Sequence, residues 1–160
     1  MNAILKLVLT IVVARLAFMS NSNIYPAQQK TKGPTAKAIV QYDTPEVRLE
    51  GILTERKVFG PPGYGETPAK DARTTIFILK LYQGITVEPA ANADPNRTAN
   101  LDPVKDTREI QLFFGASKSA KVRELIGRTV VATGTLNESV TASQYTKAWL
   151  RVETLDLSGK

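Results

Sequence analysis

From residue 46 onward the apolar positions alternate with polar ones, change period once, and alternate again. Val47, Leu49, Gly51 and Leu53 are interleaved with Arg48, Glu50, Ile52 and Thr54, a period-two pattern that predicts a long first strand running through Val58 and Phe59. Gly51 is where such a strand would bend. Residues 60–73, GPPGYGETPAKDAR, hold three Gly and three Pro and predict a loop, since no strand interior tolerates that punctuation. A second strand follows over 74–83, TTIFILKLYQ, β-branched and aromatic-rich with both faces buried for part of its length, and Gly84 predicts a bulge before an extension at Ile85 to Val87.

Residues 88–106 carry Pro89, Pro95 and Pro103 with no apolar period, which predicts a long mobile insertion without ladder or core contacts. The third strand is 108–114, REIQLFF, with Ile110, Leu112 and Phe114 on one face. Over 117–127 the spacing of Val122, Leu125 and Ile126 becomes three and four, behind a Ser and ahead of a Gly, so a short amphipathic helix is predicted there. Strands four and five are 128–136, RTVVATGTL, and 146–155, where Ala148, Leu150 and Val152 alternate with polar residues and Trp149. The order β-β-β-α-β-β is that of a mainly β protein, a five-stranded OB-like barrel over 46–157 with one short helix plugging its end. An SH3-like barrel is the competing arrangement.

Ahead of the domain, residues 4–19 read ILKLVLTIVVARLAFM, sixteen residues with Lys6 near the start and Arg15 near the end. A membrane span needs about 20 apolar residues, and this run is shorter and interrupted, so no stable span is expected. Its layout matches a secretory signal over 1–22, with small residues at Ser20, Asn21 and Ser22, and a folded N-terminal helix or a retained anchor is the alternative. Residues 23–45 show no periodicity and read as a flexible leader.

The chain has 160 residues and neither Cys nor His. Those two absences remove disulfides, thiolate nucleophiles, Cys/His zinc sites and imidazole catalysis, and no cofactor or metal is indicated. The net charge of +6, from 21 basic and 15 acidic residues, first suggests an acidic partner. Lys6, Arg15 and Lys30 stand in an opening stretch without acids, so the excess on the domain is smaller, and its charges are scattered. That distribution argues against nucleic acid.

Two segments stand out: FGPPGYGETP at 59–68, leading into TTIFILKL, and GRTVVATGTLNESVTASQYTKAWLRVETL at 127–155. They resemble the bacterial domain-of-unknown-function family 4431, small exported or lipoprotein-like domains with a Gly-Pro-Pro-(Asn/Gly)-Tyr loop before a strand and a Gly-Lys-x-Val-x-Val-x-Gly-Thr-Leu strand later. The resemblance covers roughly 47–155 and implies export and a small β-barrel, with no known activity. Two family features are missing. The family's His-rich stretch is replaced by Ser143, Gln144, Tyr145 and Thr146, and its common Cys by Thr86, so no metal, redox or imidazole role carries over.

In an OB-like barrel the loop between strands one and two and the loop between four and five flank one face, and both segments fall on those loops. Pro61 and Pro62 would pre-set the backbone while Gly63 and Gly65 admit positive φ, which places Tyr64 beside Tyr145 with Phe59 in support. The alternative is that Tyr64 merely covers the barrel end. Glu50, Glu55, Glu66 and Asp71 read as solvated acids, and Lys118, Lys121, Arg123 and Arg128 as a solvated helix face. The expectation is a periplasmic or secreted binding module, not an enzyme, for a protein or cell-wall polymer. A nucleic-acid-binding barrel using Phe77, Tyr82 and Phe113 is the alternative, and a hydrolase working through carboxylates is a third.

Overall fold

The computed structural model describes residues 38–115 and 119–159. Six strands and one helix follow in order: β1 Ile39–Gln41, β2 Val47–Phe59, β3 Arg73–Glu88, β4 Val104–Phe113, α1 Ser119–Arg123, β5 Thr129–Glu138 and β6 Ala148–Leu157. β2, β3 and β4 form an antiparallel meander, β5 adds antiparallel to the other edge of β2, and β6 pairs antiparallel with β5 and parallel with β4. That last pairing closes five strands into the expected OB-like barrel. No helix among the described residues is long and apolar enough to cross a membrane.

β1 is the addition. It lies in the segment read as leader, and pairs parallel with β3 through Ile39 and Thr86, Val40 and Val87, and Gln41 and Glu88. Pairing between β2 and β3 runs only from Phe59 and Arg73 to Gly51 and Leu81, so β1 supplies a neighbour further along β3. Behind it Tyr42 is fully buried in the main core. The ordered domain therefore begins before residue 46, and three residues were too few to show a period. The expected signal over 1–22 lies outside the described residues.

Alternation over Val47, Leu49 and Leu53 directs these side chains into the barrel, where they meet Leu79, Ile110, Val130, Leu136 and Leu150. Each fully buried aliphatic side chain contributes about 1.5 to 3 kcal/mol. Gly51 and Gly134 are needed for close approach rather than for unusual dihedrals. A Cβ at Gly51 would stand 2.3 Å from the Lys80 carbonyl oxygen, and one at Gly134 would stand 2.0 Å from that of Arg151. The helix is shorter than expected, ending at Arg123 in a run of turns, yet Val122 is buried and Leu125 and Ile126 pack against the same core.

The segment read as an insertion over 88–106 does make ladder and core contacts. Val104 to Asp106 already belong to β4, and Asn100 is only 3% exposed. Its amide donates to Asp43 at 2.8 Å and accepts from the Glu138 backbone at 2.6 Å, while Arg97 holds Asp43 at 2.6 Å. A polar tether between three distant segments leaves no trace in apolar periodicity.

Past Leu53, β2 loses β5, and beyond Phe77 β3 loses β4, so residues 56–59 and 73–76 form a two-stranded arm. The apolar side of that arm switches to the opposite face. Val58, Ile76 and Ile78 form a second cluster there, and Tyr145 packs against it.

Candidate functional site

The loop between β2 and β3 is built around Asp71. Its carboxylate accepts from the backbone N–H groups of Gly63 and Gly65, both at 2.7 Å, and from the Thr67 N–H and hydroxyl, both at 3.2 Å. Desolvation by itself would raise this carboxyl, but the hydrogen bonds from Gly65, Gly63 and Thr67 prevail and hold it below the usual carboxylate range. Asp71 is therefore not the solvated acid its neighbours suggest. It is 8% exposed and fixes the loop from inside.

The glycines divide the work differently from the expectation. Gly65 takes a positive φ of 109°, but the second left-handed residue is Tyr64 itself, at 51°. Gly63 is required because a Cβ there would lie 2.9 Å from both the Asp71 carboxylate and the Thr67 hydroxyl. The Pro61–Pro62 peptide is cis. At the base of the loop the Arg73 guanidinium sits 3.6 Å over the Phe59 ring, and a Cβ at Gly65 would stand 3.7 Å from that ring.

The loop between β5 and β6 is clamped by Gln111, a β4 residue only 2% exposed. Its amide nitrogen donates to the Ser143 carbonyl at 3.1 Å, and its amide oxygen accepts from the Tyr145 N–H at 2.7 Å. The Gln111 N–H in turn donates to the Thr146 hydroxyl at 3.0 Å. Tyr145 closes the arrangement by donating its hydroxyl to the Phe59 carbonyl, which ties this loop to the end of β2. Burial first, then the nearby Tyr64 and Asp71, push the Tyr145 phenol above its ordinary value.

Between the two loops runs a groove of about 410 Å³ along the ends of β3 and β4. Pro61 and Tyr64 border it on one side, Ser143 and Tyr145 on the other, and Ile76, Phe77, Phe113 and Phe114 line its length. Phe77 and Phe114 meet edge to face with centroids 5.7 Å apart. Of the residues singled out in sequence, Pro61, Tyr64 and Tyr145 come together at this groove. Phe59 and Pro62 do not line it, although Phe59 supports it through the carbonyl that receives Tyr145.

No family model matches the chain, and no curated protein matches its sequence. The resemblance to family 4431 rests on the two quoted segments alone.

Gln111 is the site residue that the sequence did not single out, and Asp71 was read there only as a solvated acid. An Asp preceding a strand after a Gly-rich loop, and a lone Gln between apolar residues in REIQLFF, were the available signals. Of the aromatics weighed for nucleic acid, Phe77 and Phe113 both line the groove and Tyr82 does not. Phe113 pairs edge to face with Trp149 at 5.0 Å, whereas Tyr82 bonds Thr129 at 2.6 Å on a different stretch of β3. Arg56 and Lys80, on the outer side of β2 and β3, both turn to Glu109, at 2.7 and 3.9 Å. Among the described residues there is no metal-ligating cluster of three or more acids.

Proposed function

We propose that the protein is an exported, non-enzymatic binding module that presents the groove between its two signature loops to a cell-envelope component or protein partner. One observation carries this reading: two loops far apart in sequence are pinned, one from within by Asp71 and one from β4 by Gln111, and together hold Tyr64 and Tyr145 at one aromatic-floored groove. Rigid aromatics lose little conformational freedom when they contact a ligand, which makes them effective anchors. Tyr64 is 37% exposed and is the free anchor, and Tyr145 is the fixed one. The location follows from the signal-like run at 4–19 and from the resemblance to family 4431.

Two measurements test the reading. Fractionation of the native host, with mass analysis of the N-terminus, is expected to find the chain outside the cytosol and cut between residues 14 and 27. Intact chain in the cytosol overturns export. Recovery of envelope components on the immobilised domain is expected to fall for Tyr64→Ala at unchanged stability, and undiminished recovery reduces the loops to architecture.

A further inference from the structure

The groove is also a gap in the barrel wall. β3 and β4 pair in register at Phe77 and Leu112, and the next pair in that direction to exchange backbone hydrogen bonds would be Thr75 with Phe114. The strands part there instead, and both residues line the groove.

The direction of the free backbone groups follows from the surrounding ladders. Leu53 donates to the Arg128 carbonyl and accepts from the Gly127 N–H, so odd-numbered residues of β2 address the β5 side and even-numbered ones address β3. Their β3 partners, Thr74 and Ile76, therefore direct N–H and C=O to β2, while Arg73 and Thr75 direct theirs away from it. On the opposite wall the Gln111 N–H points toward Thr146, which leaves Phe114 facing the gap. Neither Thr75 nor Phe114 has a backbone partner among the described residues. An open strand edge of this kind is a template for another extended chain.

The two sides of that edge differ in chemistry. Ile76 and Tyr145 supply the apolar groups of one side, and Arg56, in register with Ile76, is there occupied by Glu109 at 2.7 Å. On the other side stand exposed Lys57, in register with Thr75, and exposed Arg73 over Phe59. Glu55, two residues further along on the same side, confines this basic stretch to the end nearest the loop.

Resting on the binding-module reading, we propose that the partner is an extended polypeptide segment that adds as a strand to β3 at Arg73 and Thr75. Its alternate side chains are apolar, against Ile76 and Tyr145, and acidic, toward Arg73 and Lys57. Main-chain pairing supplies attachment and the alternation supplies selectivity. A sugar polymer does not present N–H and C=O groups at the 3.3 Å repeat of a strand, so it leaves this edge unsatisfied.

The probe is a capped octapeptide of four Val-Glu repeats, titrated into the isotopically labelled protein and followed by amide resonances. The Arg73 and Thr75 amides are expected to shift and to exchange more slowly with solvent. The matching Val-Lys peptide is expected to bind more weakly. Methylating the backbone nitrogen at every Val, or at every Glu, is expected to weaken binding about tenfold or more in at least one of the two forms, since each lost hydrogen bond counts for about a factor of ten. Thr75→Pro, which deletes an N–H that bonds nothing among the described residues, is expected to abolish protection while leaving the melt unchanged. If that variant does not fold, the methylated peptides carry the same test. Equal binding of all peptide forms overturns strand addition. If an N-acetylglucosamine hexamer or octathymidylate perturbs Tyr64 and Tyr145 while the peptides leave Thr75 unmoved, strand addition is overturned and the groove remains a binding face. Peptide protection of Thr75 that survives Tyr64→Ala supports strand addition and removes the aromatic anchor instead. Silence from every probe overturns both.

Discussion

Tyr145 joins the stability of the fold to the shape of the groove, and two substitutions separate its ring from its hydroxyl. Tyr145→Phe keeps the contact with Val58, Ile76 and Ile78 and removes only the donor to the Phe59 carbonyl. One hydrogen bond of this kind contributes about 1 kcal/mol net. Tyr145→Ala removes the ring as well and opens the second cluster to water. A fully buried aromatic costs about 3 to 5 kcal/mol on truncation, and a partly buried one at the edge of a small cluster is expected to cost about 2 to 3 kcal/mol. At about 4 °C per kcal/mol for a domain of this size, Tm falls by about 4 °C for Phe and by about 8 to 12 °C for Ala. Thermal melts by far-ultraviolet circular dichroism read both values. Tyr64→Ala serves as the reference, since its side chain is more exposed and its expected loss stays within about 1 kcal/mol. The reasoning fails if Tyr145→Ala melts within about 2 °C of the parent, because the second cluster would then contribute nothing measurable. It fails equally if Tyr64→Ala costs as much as Tyr145→Ala, because Tyr64 would then be a structural cover and not an anchor.

Asp71→Asn is expected to flatten the acid limb of stability. The folded carboxyl lies below its unfolded value, so its contribution is present above about pH 3.8 and is lost as pH falls through the lower folded value, and denaturant melts between pH 2 and 6 would read the difference. Asn100→Ala removes the acceptor for the Glu138 N–H and places a non-Asn residue at φ 62°, for an expected loss of about 2 to 4 kcal/mol by urea unfolding, and a loss below about 1 would show that the tether is dispensable. Tyr42→Phe is expected to leave stability unchanged or raised at pH 7, because the buried Tyr42 hydroxyl has no partner among the described residues. Burial above all, then Glu138 and Asp102, push this phenol upward. Above about pH 10 the unfolded phenol ionises before the folded one and the fold loses stability as pH rises toward the folded value, so Tyr42→Phe is expected to resist alkaline unfolding better than the parent.

Local pattern determined the barrel strands, their order and the loops that carry the site. Period-two alternation at Val47, Leu49 and Leu53 requires a half-buried strand whatever it pairs with. The Gly and Pro content of 60–73 forbids one there. These are properties of a few adjacent residues, so they are legible without coordinates, and element order then selects the OB-like closure because each neighbour must cover the apolar face of the last.

What only the tertiary structure decided are the features made by residues far apart in the chain. β1 is three residues long and acquires meaning only from the edge that β3 offers it. Asn100 and Gln111 are polar and buried, and their partners lie 32 to 57 residues away, at Asp43, Glu138, Ser143 and Tyr145. Hydrophobic patterning is silent about such residues, because burial of a polar group is set by partner geometry and not by affinity for water. Asp71 is the same case within a loop, an acid that resembles its solvated neighbours until four donors are found around it. The groove follows from the same principle. Both of its strands read as ordinary ladder members, and only their parting beyond Phe77 and Leu112 turns strand ends into a binding edge.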